Sequence, residues 1–211
     1  MPLQRFEKLD PDRQQAILAA ARTEFAARGF SGASYNAIIK AAGLSKGAMY
    51  YYFADKADLC RTVIERVLAQ LADAAGELGP FDDAPGFWRE IRALTGRAML
   101  EMLAMPELAD LTRLIYGEGS SSEILGPLIE RAEAWCTETL AAGQPVGAVR
   151  SDIPLSFLAT AVLGLLVHTD RWIAERLDTL EAAELERLSL ACLDMVEHLA
   201  TPVPDPNPAR A

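Results

Sequence analysis

Apolar residues recur at intervals of three and four positions along most of the chain, and this period constrains the fold more than any other feature. No stretch alternates Val, Ile, Thr and aromatic residues as a half-buried strand would. Breakers such as Gly43, Pro106 and Pro154 separate the periodic segments. The pattern therefore predicts an all-α chain of about nine helices.

Start and stop signals define the first helices. Asp10 is the expected N-cap of the first helix, with Pro11 at its first position and Gly29 at its end. Ser34 and Ser45 begin a second and a third helix, which are separated only by the residues at 43 and 44. Two short capped helices with such a tight turn between them predict a helix-turn-helix.

The remaining helices are expected after a segment rich in Pro, Gly and Asp at Gly79–Gly86, which marks a boundary. A fourth helix opens near Asp55 and runs to Gly76, before this boundary. The helices beyond it are expected at about 87–104, 107–117, 122–142, 155–177 and 181–200.

Charge is distributed unevenly along the chain. The chain holds 20 Lys and Arg against 30 Asp and Glu, a net charge of −10, which argues against a protein that coats nucleic acid over its whole surface. Residues 1–56 nevertheless carry 8 basic and 5 acidic side chains, and they contain every lysine of the chain. A polyanion is therefore expected to meet the N-terminal quarter, with chance clustering as the alternative.

The sequence contains no motif for a metal site, a nucleotide-binding loop or a serine hydrolase. The 3 cysteines form no Cys-x-x-Cys pair, and the 2 histidines are too few for a three-histidine metal site, so no metal or cofactor is expected. Phosphate-cradling glycine loops and Gly-x-Ser-x-Gly are absent too. The N-terminus resembles no secretory signal, and the uncharged run 153–169 is shorter than a bilayer needs. We expect a cytoplasmic protein that is not an enzyme.

The segment from Asp10 to Leu59 resembles the DNA-binding domain of the TetR family of transcriptional regulators. That domain has a motif close to Ile-Ala-x-x-Ala-Gly-Val-Ser-x-Gly-Thr-Leu-Tyr-x-Tyr-Phe-x-x-Lys-x-x-Leu. The pattern is carried here by Ile38, Ala42, Gly43, Leu44, Ser45, Gly47, Met49, Tyr50, Tyr52, Phe53, Lys56 and Leu59. Sequence resemblance covers about a quarter of the chain, and the remainder is similar to the family in length and helix count.

This resemblance implies a set of DNA contacts in the second, third and fourth helices. Tyr50, Tyr52 and Lys56 match positions that contact phosphate, whereas Tyr51 faces outward and is expected to reach bases. An aromatic core stripe is the alternative for the tyrosine run, although three consecutive residues cannot all face one core. The full set is Ser34, Tyr35, Asn36, Ser45, Lys46, Gly47, Ala48, Tyr50, Tyr51, Tyr52 and Lys56.

The resemblance also implies a domain plan. A helix-turn-helix domain at 1–56 is linked by a helix at about 56–77 to a ligand-binding and dimerisation domain at 78–200, and a frayed tail follows at 201–211. Family members are homodimers, and the last two helices, 155–177 and 181–200, would form the dimer's four-helix bundle. The first of them is apolar nearly all round, which predicts that more than one side is covered.

The middle helices of the family enclose an effector pocket, so apolar and aromatic residues there are candidates for its lining. Each of them has an ordinary core role as the alternative, and His168 on an apolar helix is more often a hydrogen-bonded core histidine. The candidates are Trp88, Ile91, Met99, Met102, Leu103, Leu111, Leu114, Tyr116, Trp135, Thr139 and His168.

Two function classes follow from these observations. The first is a ligand-responsive repressor that binds a palindromic duplex DNA operator as a homodimer and is released by a mostly apolar small molecule. The second is an all-α small-molecule-binding protein or enzyme in which the N-terminal helices are scaffold. Acid pairs such as Glu130 with Glu133 are typical of solvated faces, so the sequence offers the second class little.

Overall fold

The computed structural model describes residues 4–105, 114–116, 122–177 and 179–203, and every regular element within these ranges is helical. The predicted all-α class is confirmed. The helices are α1 Gln4–Glu7, α2 Pro11–Gly32, α3 Tyr35–Ala41, α4 Lys46–Tyr52, α5 Lys56–Ala75, α6 Ala84–Ala104, α7 Ser122–Gly143, α8 Leu155–Ala174 and α9 Ala182–Ala200.

The observed helix bounds differ from the predicted ones in a few places. Helix α6 begins three residues before the predicted 87, because Asp83 Oδ1 accepts a hydrogen bond from the Gly86 amide at 2.7 Å and caps the helix. Helix α8 ends at Ala174 rather than 177. Of the helix predicted at 107–117 only 114–116 are described, and they are helical. The predicted tail lies outside the described residues beyond 203.

Helix α2 begins where the sequence predicts and bends where the stop was expected. Asp10 Oδ1 accepts from the Asp12 amide at 3.0 Å, and Pro11 occupies the first turn. Gly29 lies inside the helix with φ 64° and ψ 176°, which is not helical, and the chain continues helically to Gly32. Glycine adopts such a conformation at little cost because it has no Cβ.

The chain divides into two compact units, and each has its own core. The first consists of Met1–Ala74 and Leu100–Ile129, and the second of Ala75–Met99 and Glu130–Ala211. The largest fully buried side chains of the first unit are Phe6, Ile17, Phe25, Ile38, Met49, Phe53, Leu59, Ile64 and Ile124. The core of the second unit contains Phe87, Trp88, Cys136, Leu140, Val149, Leu158, Ala159, Val162, Val196 and Ala200. The functional domain bounds predicted from the sequence stay predictions.

Candidate nucleic-acid interface

Helices α3 and α4 are capped by the two serines that the sequence predicts. Ser34 Oγ accepts a hydrogen bond from the Ala37 amide at 3.3 Å, and Ser45 Oγ accepts from the Ala48 amide at 3.1 Å. Each cap satisfies an amide that has no partner within its own helix. Both short helices therefore begin at defined residues, and the predicted helix-turn-helix is present.

The turn between α3 and α4 depends on Gly43, whose φ is 64°. Side chains other than glycine rarely adopt this left-handed conformation. Leu44 packs against the core of the first unit, and Arg13 Nη2 donates to the Gly43 carbonyl at 3.4 Å. The turn therefore contacts α2 through Arg13 and the core of the first unit through Leu44.

Helix α4 has a buried face and an exposed face. Met49 is fully buried, whereas Tyr50 and Tyr51 are 45% and 51% exposed. Lys46 is exposed, and its Nζ lies 5.9 Å from the centre of the Tyr50 ring. The tyrosine run is therefore not a core stripe, although Tyr52 is half-buried and packs against the core.

The remaining candidate DNA contacts of α3 and α4 differ in exposure. Asn36 and Gly47 are exposed, while Ala48 is half-buried. Ser34 is exposed, but its amide donates to Glu24 Oε1 at 2.9 Å and its hydroxyl is used by the cap. Asn36 and Gly47 are thus the candidates in this group with the freest surfaces.

Tyr35 is placed differently from the exposed tyrosines of α4. The centres of the Tyr35 and Tyr50 rings lie 5.4 Å apart in an edge-to-face arrangement, and the buried Tyr35 hydroxyl has no hydrogen-bond partner among the described residues. Burial, with smaller effects from Tyr50 and the carboxylates of Asp55 and Asp58, holds the pKa of Tyr35 well above its usual range. The surface that Tyr35 offers to a ligand is therefore its ring rather than its hydroxyl.

Lys56, the predicted phosphate clamp, is engaged within the protein. Its Nζ donates to the carbonyls of Phe30 at 2.7 Å, Ala33 at 3.0 Å and Ser31 at 3.4 Å. An ammonium group has three hydrogens, so these carbonyls use its whole donor capacity. Hydrogen bonds from Lys56 thus link α5 to the end of α2. Contact of Lys56 with phosphate stays a prediction.

A pair of aspartates at the start of α5 was not recognised in the sequence. Asp55 Oδ1 accepts from the Asp58 amide at 2.8 Å, and Asp58 Oδ2 accepts from the Ala54 amide at 3.1 Å. This exchange resembles a capping box with aspartate at both ends. The Asp-x-x-Asp spacing just before an apolar run is the signal that could have found it.

A family model described as bacterial regulatory proteins, tetR family, matches residues 17–63, which contain this helix-turn-helix. The HTH-type transcriptional repressor SCO4008 of Streptomyces coelicolor is 30% identical over 168 residues, covering 77% of this chain and 79% of that protein. The chain belongs to the TetR family.

Other regulators are similar to most of this chain. The HTH-type transcriptional repressor AcnR of Corynebacterium diphtheriae is 26% identical over 192 residues, which cover 88% of this chain and 90% of that protein. Among solved structures, the fatty acid degradation regulator FadR from Bacillus halodurans matches with a TM-score of 0.66 and 18% identity. That match covers 87% of this chain and 97% of the other, so the fold is shared.

The candidate effector contacts of this TetR-family chain are divided between its two units. Met102, Leu103, Leu114 and Tyr116 belong to the first unit, and Leu111 lies outside the described residues. Leu114 is part of the first unit's core. The second unit holds the rest, which are Trp88, Ile91, Met99, Trp135, Thr139 and His168. Their role in binding an effector stays a prediction.

Exposure separates these candidates further. Trp88 is buried, and its Nε1 donates to the Ala148 carbonyl at 3.3 Å, as in an ordinary core. Trp135 is 53% exposed and Leu103 is 40% exposed, so neither has an ordinary core role. The interpretation of His168 as a core histidine is wrong, because the residue is exposed and its Nδ1 donates to the Gly164 carbonyl at 2.7 Å.

Helix α8 is the one helix within the described ranges that is long and apolar enough to cross a membrane. Only 17% of its most apolar window is buried inside the chain. Helices of soluble proteins meet the same criteria of length and composition, so this feature is weak support for a membrane span. Leu158, Ala159 and Val162 of this helix are buried, and its other residues are half-buried or exposed in the single chain.

Proposed function

We propose that this protein is a transcriptional repressor that binds a palindromic duplex DNA operator through α3 and α4. The observation that carries the proposal is the division of α4 into a buried face at Met49 and an exposed face at Lys46, Tyr50 and Tyr51. A helix held in this way can lie in the major groove with its first residues toward the bases. The match to repressors of the same family supports the same function.

The charges of the first unit favour DNA as the partner. Residues 1–56 carry more basic than acidic side chains although the whole chain has a net charge of −10. Lys46 is exposed and its ammonium makes no hydrogen bond or ion pair with the described residues. We infer that Lys46 contributes to base recognition, and that Tyr50 contacts phosphate, which carries no sequence information.

We propose that the protein acts as a homodimer through α8 and α9. These helices expose large apolar side chains in the single chain, a hazard for aggregation unless a second subunit covers them. A two-fold dimer would present two copies of α4 and would require a palindromic site with half-sites about 34 Å apart. The exposed apolar side chains of α8 and α9 are Phe157, Trp172, Leu190, Met195 and Leu199.

We propose further that a mostly apolar small molecule binds the middle helices and lowers the affinity for the operator. Such a ligand shifts the equilibrium only by its difference in affinity for the two forms, typically about 1 to 3 kcal/mol. Native mass spectrometry of the purified protein would identify a retained ligand. Calorimetry with and without operator then decides the coupling, because equal ligand affinities would contradict it.

Because the proposed target is DNA, we also propose that the protein is cytoplasmic.

Fluorescence anisotropy with the DNA upstream of the protein's own gene tests the repressor proposal. Lys46→Ala and Tyr50→Ala should each weaken binding about tenfold, because each removes a contact in the groove or with the backbone. Arg89→Ala, which removes an exposed positive charge from α6, is the matched control and should leave the affinity unchanged. Wild-type affinity in both variants of α4 would refute the proposed interface.

A further inference from the structure

The short helix α1 is fixed to the helix-turn-helix by contacts that the sequence analysis did not predict. Phe6 is fully buried, and the centre of its ring lies 4.7 Å from the centre of the Phe53 ring. Phe53 directly follows α4. Glu7 forms an ion pair with Arg66 of α5 at 2.6 Å. Gln14 Nε2 donates to the Leu9 carbonyl at 2.8 Å. The segment before α2 is therefore held in place on both sides of Phe6.

This anchoring brings Arg5 onto the exposed face of α4. The Arg5 guanidinium carbon lies 4.4 Å from the centre of the Tyr51 ring, a cation–π contact. Arg5 is exposed, and among the described residues its guanidinium has no carboxylate or carbonyl partner. A cation–π contact uses the positive charge of the guanidinium and leaves its N–H groups free to donate.

We propose that Arg5 binds a backbone phosphate of the operator, next to the groove that α4 enters, while the Tyr51 ring holds its guanidinium in position. This inference rests on the proposed function of α4. The planar fork of arginine matches the geometry of phosphate oxygens and can bind two of them at once. Residues before the helix-turn-helix thus extend the DNA interface.

The position of Tyr51 within α4 favours phosphate over a base edge. In a helix-turn-helix the first residues of the recognition helix face the bases, and here those residues are Lys46 and Gly47. Tyr51 is the residue before the last of α4, and Arg5 reaches it from a separate helix. Both therefore lie at the opposite end of α4 from the expected base contacts, which departs from the expectation that Tyr51 reaches bases.

Salt-dependent DNA binding of the full-length protein tests this inference. Arg5→Ala should weaken binding to the operator and to a duplex of unrelated sequence by the same factor, about tenfold at moderate salt. The slope of log affinity against log salt should fall by about 0.9 for each subunit that engages DNA. Arg89→Ala, which removes one positive charge from the exposed surface of α6 in the second unit, should change neither quantity.

A double-mutant cycle tests the role of the Tyr51 ring. Arg5→Ala should cost less affinity in a Tyr51→Ala background than in the wild type, because the ring no longer positions the guanidinium. Arg5→Lys keeps the charge without the fork and should retain the salt slope with part of the affinity. Unchanged thermal unfolding of all four variants, the double variant included, would show that each is folded.

The outcomes separate this inference from the proposed function. Wild-type affinity and salt slope in Arg5→Ala would overturn the phosphate contact while the repressor proposal stands. A loss of affinity limited to the operator would show that Arg5 recognises bases, and this result would also overturn the phosphate contact. A wild-type protein that binds neither duplex would overturn both proposals.

Discussion

Lys56 and Phe30 join the start of α5 to the end of α2. Lys56 Nζ donates to the Phe30 carbonyl at 2.7 Å and lies 4.6 Å above the centre of the Phe30 ring. The carbonyls that it binds follow the bend at Gly29, whose backbone dihedral angles are not helical. One ammonium group thus satisfies backbone acceptors that would otherwise need water.

Replacing Lys56 should therefore destabilise the free protein. We expect Lys56→Ala to lower the free energy of unfolding by about 2 kcal/mol, since hydrogen bonds to a charged group are lost. Urea denaturation without DNA measures the change. The control is Lys40→Ala, which removes an exposed lysine from α3 and should cost less than about 0.5 kcal/mol. Equal stability of both variants would mean that Lys56 acts only in DNA binding.

Replacing Tyr35, whose hydroxyl is buried, should not lower the free energy of unfolding. Tyr35→Phe removes a polar atom that has no hydrogen-bond partner, so the free energy of unfolding should stay the same or rise by up to about 1 kcal/mol. Tyr50→Phe, which alters an exposed ring, is the control for stability. Operator affinity of Tyr35→Phe should equal that of the wild type, and a marked loss would show that the hydroxyl turns outward on DNA.

Two helical glycines allow stability to be separated from DNA binding. Among the described residues, a Cβ added at Gly47 of α4 or at Gly96 of α6 would meet no atom within 4 Å other than those of its chain neighbours and its own helix backbone. Both alanine variants should therefore be more stable than the wild type, by about 0.5 to 1 kcal/mol. Only Gly47→Ala should lose operator affinity, because the first turn of α4 is expected to approach the DNA closely. Equal operator affinities would contradict that approach.

Charging the proposed dimer face should produce monomers. Met195 is 45% exposed in the single chain, so Met195→Glu should leave the subunit folded while it places a charge in the apolar seam. Light scattering at micromolar concentration measures the mass, and circular dichroism checks the helix content. Glu186→Gln also changes one charge on α9 and should remain dimeric. A dimeric Met195→Glu would contradict a seam that includes this residue.

Desolvation of the carboxyl raises the pKa of Asp170 to about 6, although the residue as a whole is exposed in the single chain. The folded state then holds a proton that the unfolded state releases near pH 3.8, so the free energy of unfolding falls as pH rises from about 4 to 6. Asp170→Asn should raise the Tm at pH 7.5 and leave it unchanged at pH 3.5. A Tm difference that does not vary with pH would contradict the shifted pKa.

Local signals in the sequence were sufficient for the helices and the turn of the candidate interface. Ser34 and Ser45 cap the helices that they were predicted to cap, and Gly43 has the left-handed conformation that the tight turn requires. Met49 is buried as its spacing predicts. These features depend on neighbours within about four residues, and such interactions can be read from spacing and residue type.

The partners of the polar side chains were decided by the tertiary structure. Lys56 meets carbonyls 23 to 26 residues away, and Arg66 pairs with Glu7 across 59 residues. His168 has the apolar helix context of a core residue but is exposed, since burial depends on what packs against each side of α8. The sequence by itself determined the helices, their caps and the motif. Which charges are free to meet DNA depends on contacts between distant segments, and no local pattern encodes those contacts.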